Sequence, residues 1–410
     1  MRPALVASLL ALTAAAAACG SGPRPRAPAP PAPSDVTTGL APADDLAGAT
    51  PPTGAGAGPT GTRAGTGQGS GTPHYDLEEI RLTATAGGDV VATAPSQLLD
   101  DAKAALDAGR TREAIALYRQ LAADFPTSRL APAALFNIGV IHENLGDVRA
   151  AIVAYHDVVA AFPVGRESLD AHLRAAGLEA EHEHWRDAER TLREVLARPD
   201  LSHTDRIEAH ARLGYVLLEQ GRHADARAAL DAAVAAWRKA TRVDDRYYIA
   251  MAHYYLGELA HREFLAVQLR SADTMLKADL VAKERLAAEA YDRWRQALEM
   301  KQPYWALAAG YRMSHVFLEL WETAVRAPMP DGLDPAARDY YRIEVHDRVR
   351  RHLHTALDGH EMNVKLAAAY GVDNAWSAAS KVRAAAIAAI LARESRGELV
   401  VPPASAPQAR

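Results

Sequence analysis

The sequence predicts an all-α solenoid of helix–turn–helix units, with longer helices toward the carboxy end and a low-complexity stretch before it. Three observations lead there. From about Ser96 a phrase recurs in which a Gly near the end of one helical stretch is followed about twelve residues later by an Ala, and then by a closing Pro. The clearest copy has Gly139, Ala151, Tyr155 and Pro163. Glycines then fall at Gly139, Gly177, Gly214 and Gly257, a spacing near 37 residues that widens at the last step, and such a period marks stacked helical hairpins. Second, composition changes sharply along the 410 residues. Residues 20 to about 75 are Pro, Gly, Ala, Ser and Thr with almost no large apolar side chain, so they cannot bury enough surface to offset backbone entropy and are expected to be disordered. Third, the remainder is rich in Ala, Leu, Arg and Glu, which are good helix formers.

The elements follow in order. Met1 to Ala18 has a charged start at Arg2, an apolar run from Ala4 to Leu12, and small residues before Cys19. It is too short for a bilayer span and has the layout of a secretory signal. Cys19 is the only cysteine, so no internal disulfide is possible. Gly20 to Pro95 reads as a tether with stiff Pro-rich and flexible Gly-rich parts; as a coil, 76 residues span roughly 45–50 Å. Within it, Ile80 to Ala84 and Val90-Val91 alternate weakly and read as an irregular lead-in rather than a strand.

The first helix begins near Gln97 with Leu98, Ala102, Ala105 and Leu106 and ends at Gly109. Thr111 is the expected cap of a second helix carrying Ala114, Leu117, Tyr118 and Leu121, stopped by Phe125-Pro126. Further units run from Ala131 to Pro163, from Ser168 to Pro199 and from His203 to Arg238. The small Ala and Gly positions are expected where two helix axes approach, with large residues filling the groove on either side. These residues resemble tetratricopeptide repeats, with His142 standing where an aromatic is usual and one residue missing between Gly177 and Ala188.

After residue 240 the units lengthen. Tyr247 to His261 forms a first helix, and its partner is recognisable only at Ala287, Ala290, Tyr291, Trp294 and Ala297. The roughly 25 residues between have helical character and should lengthen both helices. The domain reading is therefore a signal peptide (1–18), a disordered tether (19–95), repeats (96–240), an extended helical region (241–395) and a disordered tail (396–410).

Ala16-Ala17-Ala18-Cys19 resembles a bacterial lipoprotein lipobox, with Ala16 in place of the usual Leu. The resemblance implies a lipidated Cys19 as the mature first residue, and Gly20 in place of Asp implies the outer membrane. Residues 245–390 resemble the carboxy-terminal part of repeat lipoproteins from gliding bacteria of the myxobacterial type, which implies a periplasm-facing part of an envelope machine such as a gliding apparatus. Similar repeat lipoproteins also serve barrel assembly and Tol–Pal-type complexes.

The chemistry-bearing motifs are few. His182-Glu183-His184 and His352-Leu353-His354 put two histidines about 200° apart on a helix, so neither pair chelates a metal. No phosphate loop, dinucleotide fingerprint or nucleophile elbow occurs. The net charge of −5 is spread without a nucleic-acid footprint. Glu179, Glu181 and Glu183 read as helix-surface charges, and Arg348, Arg350, Arg351 and His352 as a solvated basic run. Trp305, Tyr311, Trp321, Tyr340, Tyr341 and Trp376 read as core of the last third, with a small-ligand or sugar pocket beside Trp305 and Tyr340 as the rival. The expectation is a non-catalytic scaffold without metal or cofactor, binding protein segments along the first helix of each pair. Asn137, His142, Arg174, His210 and Tyr215 are the candidate partner contacts; neither nucleic acid nor a small-molecule substrate is expected.

Overall fold

Thirteen α-helices and one β-hairpin make up the part of the chain that a computed structural model describes, residues 78–84, 89–241, 243, 245–271 and 273–402. The signal peptide, Cys19, the tether as far as residue 77 and the last eight residues of the tail lie outside the described residues. The chain divides into two compact units at Thr191 and Leu192. The lead-in is not irregular: β1 (Arg81–Ala84) pairs antiparallel with β2 (Val90–Thr93). The tail is also shorter than expected, because Val400 is buried against the core around Trp321 and Val345.

The first unit holds α1 (Pro95–Asp107), α2 (Thr111–Asp124), α3 (Leu130–Asn144), α4 (Val148–Ala161) and α5 (Arg166–Glu181). Here α1 packs on α2, α3 on α4, and the first helices stack on one another, α1 on α3 and α3 on α5. Its core runs through Leu99, Tyr118, Leu121, Phe125 and Ile138, then Val140, Tyr155, Val158 and Ala175. α6 (Trp185–Ala197) carries the boundary. The second unit continues with α7 (His203–Glu219), α8 (His223–Lys239), α9 (Tyr247–Ala266), α10 (Asp273–Glu299), α11 (Pro303–Val325), α12 (Pro335–Tyr370) and α13 (Ala375–Glu394). Its first helices stack likewise, α7 on α9, α9 on α11 and α11 on α13. The extra residues of the fifth pair do lengthen both helices, to 20 and 27 residues. At 36 residues, α12 is about 54 Å long.

Helix ends are set locally. Ser202 and Asp205 form a reciprocal capping box on α7, and Asn374 with Ser377 does so on α13. Asp334 caps α12 through the Ala337 amide, Pro335 occupies its first turn, and Gly371 at φ 65° ends it. Thr111 does not cap α2. It is the first helical residue, and the preceding Arg110 pairs with Glu113 instead. The turn inside each early pair is left-handed and falls at Gly109, Gly146, Glu183 and Gly221, with φ between 63° and 75°. Glu183 carries a side chain where its counterparts have none, at a cost of about 1–2 kcal/mol.

Inside the pairs, glycine fixes how closely the helices approach. A Cβ on Gly139 would collide with the Tyr155 ring, one on Gly214 with Leu230, and one on Gly257 with the Trp294 indole. The opposed residues are fully buried. In the α11–α12 pair the same job is done from both sides, Gly310 against Asn363 and Gly359 against Ser314.

Gly257→Ala is expected to destabilise the second unit by about 1–3 kcal/mol through overpacking against Trp294, seen as a lower Tm with helix content retained. Acid should act on the same unit. His253 and His352 are held down to about 4 and His360 to about 3, chiefly by burial, and burial holds His315 well below its ordinary value. All four stay neutral when folded and take up a proton on unfolding below about pH 6.5, so their stability is full above that pH and lost as pH falls. Half-buried Glu322, raised to about 7, works the other way between about pH 7 and 4.5, and Glu319, raised well above its ordinary value by burial, acts in the same sense, so the two offset part of the loss. Thermal melts should show a net fall in stability from pH 7 to 5. His253→Gln should shrink that fall by about 2 kcal/mol; an unchanged pH profile in the variant would contradict the assignment.

Candidate interaction surface

In the first unit the candidate face is built from α3, α4 and α5. Glu143, in the last turn of α3, accepts a 2.6 Å hydrogen bond from the Tyr155 hydroxyl on α4. Its two oxygens also accept from Arg174 Nη1 on α5, at 3.0 and 2.9 Å. The Arg174 guanidinium lies 5.8 Å from the centre of the Phe136 ring, and Phe136 packs on Tyr155 with centroids 5.4 Å apart. One carboxylate thus ties three helices together. Burial, then Glu143, holds the Tyr155 phenol far above its ordinary value, so it remains a donor. The charge on Arg174 is matched by Glu143, and this partly exposed pair is what the cluster shows to solvent, the Phe136 and Tyr155 rings beneath it being buried.

Of the residues proposed as contacts here, Arg174 is in this cluster and His142 is half-buried one position before Glu143. Asn137 is not available. It is fully buried on the opposite side of α3, beside the Tyr118 hydroxyl. Glu179 is not a surface charge either: it is buried, with His156 Nε2 at 3.1 Å and the buried His172 ring 6.4 Å from that of His156. Glu181 and Glu183 are exposed as expected.

In the second unit His210 is half-buried on α7, its pKa lowered by burial and by Arg206. Tyr215 is buried, its ring 4.9 Å from that of Tyr255, so it belongs to the core and not to a contact surface. The residue that reasoning from the sequence passed over is Arg212. It bonds Glu208 at 2.9 Å and the Tyr248 hydroxyl at 2.7 Å and covers the Tyr248 ring at 5.2 Å. Its i−4 carboxylate was visible in the sequence; its tyrosine, 36 positions on, was not.

The carboxy-terminal aromatics are mostly core. Trp305, Tyr311, Trp321 and Trp376 are each at most 3 % exposed, while Tyr340 is 68 % exposed. Trp305 touches Tyr254 and Tyr255 at 5.2 and 5.7 Å, and Tyr311 touches Trp376 at 5.5 Å. Rings at those separations are in direct contact, which leaves no room among them for a sugar or other ring. Most of the basic run is spent within the chain: Arg348 pairs with Glu344, Arg350 with Asp347 and Glu394, and His352 is buried, while Arg351 is exposed. Among the described residues no group of three His, Cys, Asp or Glu is placed to hold a metal ion.

Comparison with known proteins finds a family match over the first eight helices. The tetratricopeptide repeat family model matches residues 99–166 and 173–241, which are α1 to α4 and most of α5 through α8. A search of curated protein sequences finds no match. Among solved structures, a MamA protein is similar at 17% identity over 58% of this chain and 96% of its own, with a TM-score of 0.36. MamA from Desulfovibrio magneticus is similar at 16% identity over 50% of this chain and 94% of its own, with a TM-score of 0.33. A repeat protein from Bacteroides fragilis is similar at 15% identity over 54% and 99%, with a TM-score of 0.32. Through residues 99–166 and 173–241 the chain is similar to tetratricopeptide repeats.

Proposed function

We propose that this chain is a non-catalytic scaffold that holds protein segments against the first helices of its pairs, lipid-anchored through Cys19 and lifted off the membrane by the tether. The observation that carries the reading is the Phe136–Arg174–Glu143–Tyr155 cluster on three successive helices of the repeats. A partly exposed guanidinium stacked on an aromatic suits a peptide carboxylate or backbone carbonyl, because Arg keeps its charge and has more N–H donors than the Glu143 contact uses. The lipobox-like Ala16 to Cys19 supports attachment to the outer membrane with the repeats in the periplasm, and the later helices support membership of an envelope machine such as a gliding apparatus. Barrel-assembly and Tol–Pal-type complexes are the machines the same test would otherwise name. Direct contact among the carboxy-terminal aromatics argues against a small-ligand carrier.

Affinity purification from membranes, with the native anchor and with Cys19→Ala, should recover a defined set of envelope proteins that shrinks when the anchor is removed. Arg174→Ala should lose part of that set, and its purified form should melt within about 1–2 kcal/mol of the parent, since one charged hydrogen bond is removed. Failure of either anchored or unanchored protein to hold any partner would sink the scaffold reading.

A further inference from the structure

The β-hairpin before the repeats is an exposed two-stranded sheet. Arg81 faces Thr93, Leu82 faces Ala92, Thr83 faces Val91 and Ala84 faces Val90. One face therefore carries Leu82, Ala84, Val90 and Ala92, and the other Arg81, Thr83, Val91 and Thr93. Leu82 and Val90 are 68 % and 65 % exposed, and Val91 is 49 % exposed. Polar contacts hold the hairpin and its lead-in to the first helical pair: Arg81 pairs with Asp124, Thr127 Oγ1 donates to Glu79, and Ser96 bonds Glu78 through its amide and hydroxyl at 2.6 Å each. Among the described residues, neither strand makes a backbone hydrogen bond beyond their shared ladder.

A lone two-stranded sheet is at best marginal in water, and three or more strands with an apolar face are needed for stability. Natural edges are guarded by Lys, Pro, bulges or a covering element. The sequence Val90-Val91-Ala92-Thr93 has none of these side chains, and it is uncharged and β-branched at three of four positions.

We propose that β2 pairs with β2 of a second copy of this chain, antiparallel about a two-fold axis through Val91, giving a four-stranded sheet. Like faces coincide only when a residue, rather than a peptide bond, sits on the axis. With Val91 opposite Val91 of the second copy, Val90 meets Ala92, like faces coincide, and the sheet has one continuous apolar face. Asp89 then lies opposite Thr93, in the same cross-sheet row as the second copy's Arg81, so unlike charges share the row and no like charges meet. A shift by one residue would set the apolar face of one copy beside the Arg81 face of the other.

The test is sedimentation of the full chain over a concentration series up to about 0.5 mM, where even weak pairing is populated. The parent should show a reversible monomer–dimer equilibrium. Val91→Lys and Val91→Glu each place two like charges directly opposite at the axis and should weaken the dimer roughly tenfold. Mixing the two variants sets Lys against Glu and should restore association toward the parent value. Because Val91 is half-exposed, both variants should keep the parent's circular dichroism and melting of the helices. A parent that stays monomeric, variants that dimerise like the parent, or a mixture that fails to recover would each overturn the proposal.

Discussion

The fold rests on how closely the two helices of a pair can approach. At Gly139, Gly214 and Gly257 the first helix offers bare backbone, and the second helix seats Tyr155, Leu230 or Trp294 on it. The large residue is completely buried each time. Close approach lets the small residues Ala151, Ala226 and Ala287 pack without voids, all at 0 % exposure, and dense packing is what makes a two-layer stack stable without a deep core. The wider α11–α12 pair keeps the rule with polar partners, because Asn363 over Gly310 also reaches the Leu307 carbonyl at 3.0 Å and the Ser380 hydroxyl at 2.9 Å.

That constraint is why the helical array was legible. Gly139 and Gly214 each stand 16 positions before the residue they accommodate, and spacing of that kind survives in one dimension. What the period does not encode went unread. The left-handed turn at Glu183 lacks the Gly that marks its three counterparts, so nothing in the residue announced its backbone. The β-hairpin is two four-residue strands among small residues, shorter than the window in which alternation can be told from chance. Val400 is buried by contacts with Trp321 and Val345, which lie far away in sequence.

The candidate contact surface was legible only in part, for a geometric reason. A first helix in a stacked array touches its own partner, the second helix of the preceding pair and the first helices on either side, so only a narrow stripe faces outward. Choosing polar residues on first helices cannot tell that stripe from the flanks. Arg174 and His142 lie at or near it; Asn137 and Tyr215 fall on flanks and are buried against Tyr118 and Tyr255. Glu179 misled in the opposite direction, since a carboxylate among charged neighbours reads as solvated until His156 is brought to it from another helix.

The second unit adds buried polar pairs between its long helices. Arg312 bonds Glu258 across α11 and α9, His261 bonds Glu319 across the same helices, and His346 bonds Glu394 across α12 and α13 at 2.8 Å. Such pairs contribute little net stability, because desolvation offsets most of the attraction. Their effect is on alignment. α13 packs through Trp376, Ser377, Ser380, Ile387 and Glu394 while most of its alanines are exposed, so apolar contact supplies few points that fix its register. A slip of about 5.4 Å would leave Glu394 buried without His346 and Arg350, and Ser380 away from Asn363. Each uncompensated buried charge costs about 3–5 kcal/mol, enough to disfavour a slipped register. The polar pairs therefore fix which turn of each long helix meets its neighbour, a task the glycine interlock performs at Gly139 and Gly214 in the shorter pairs.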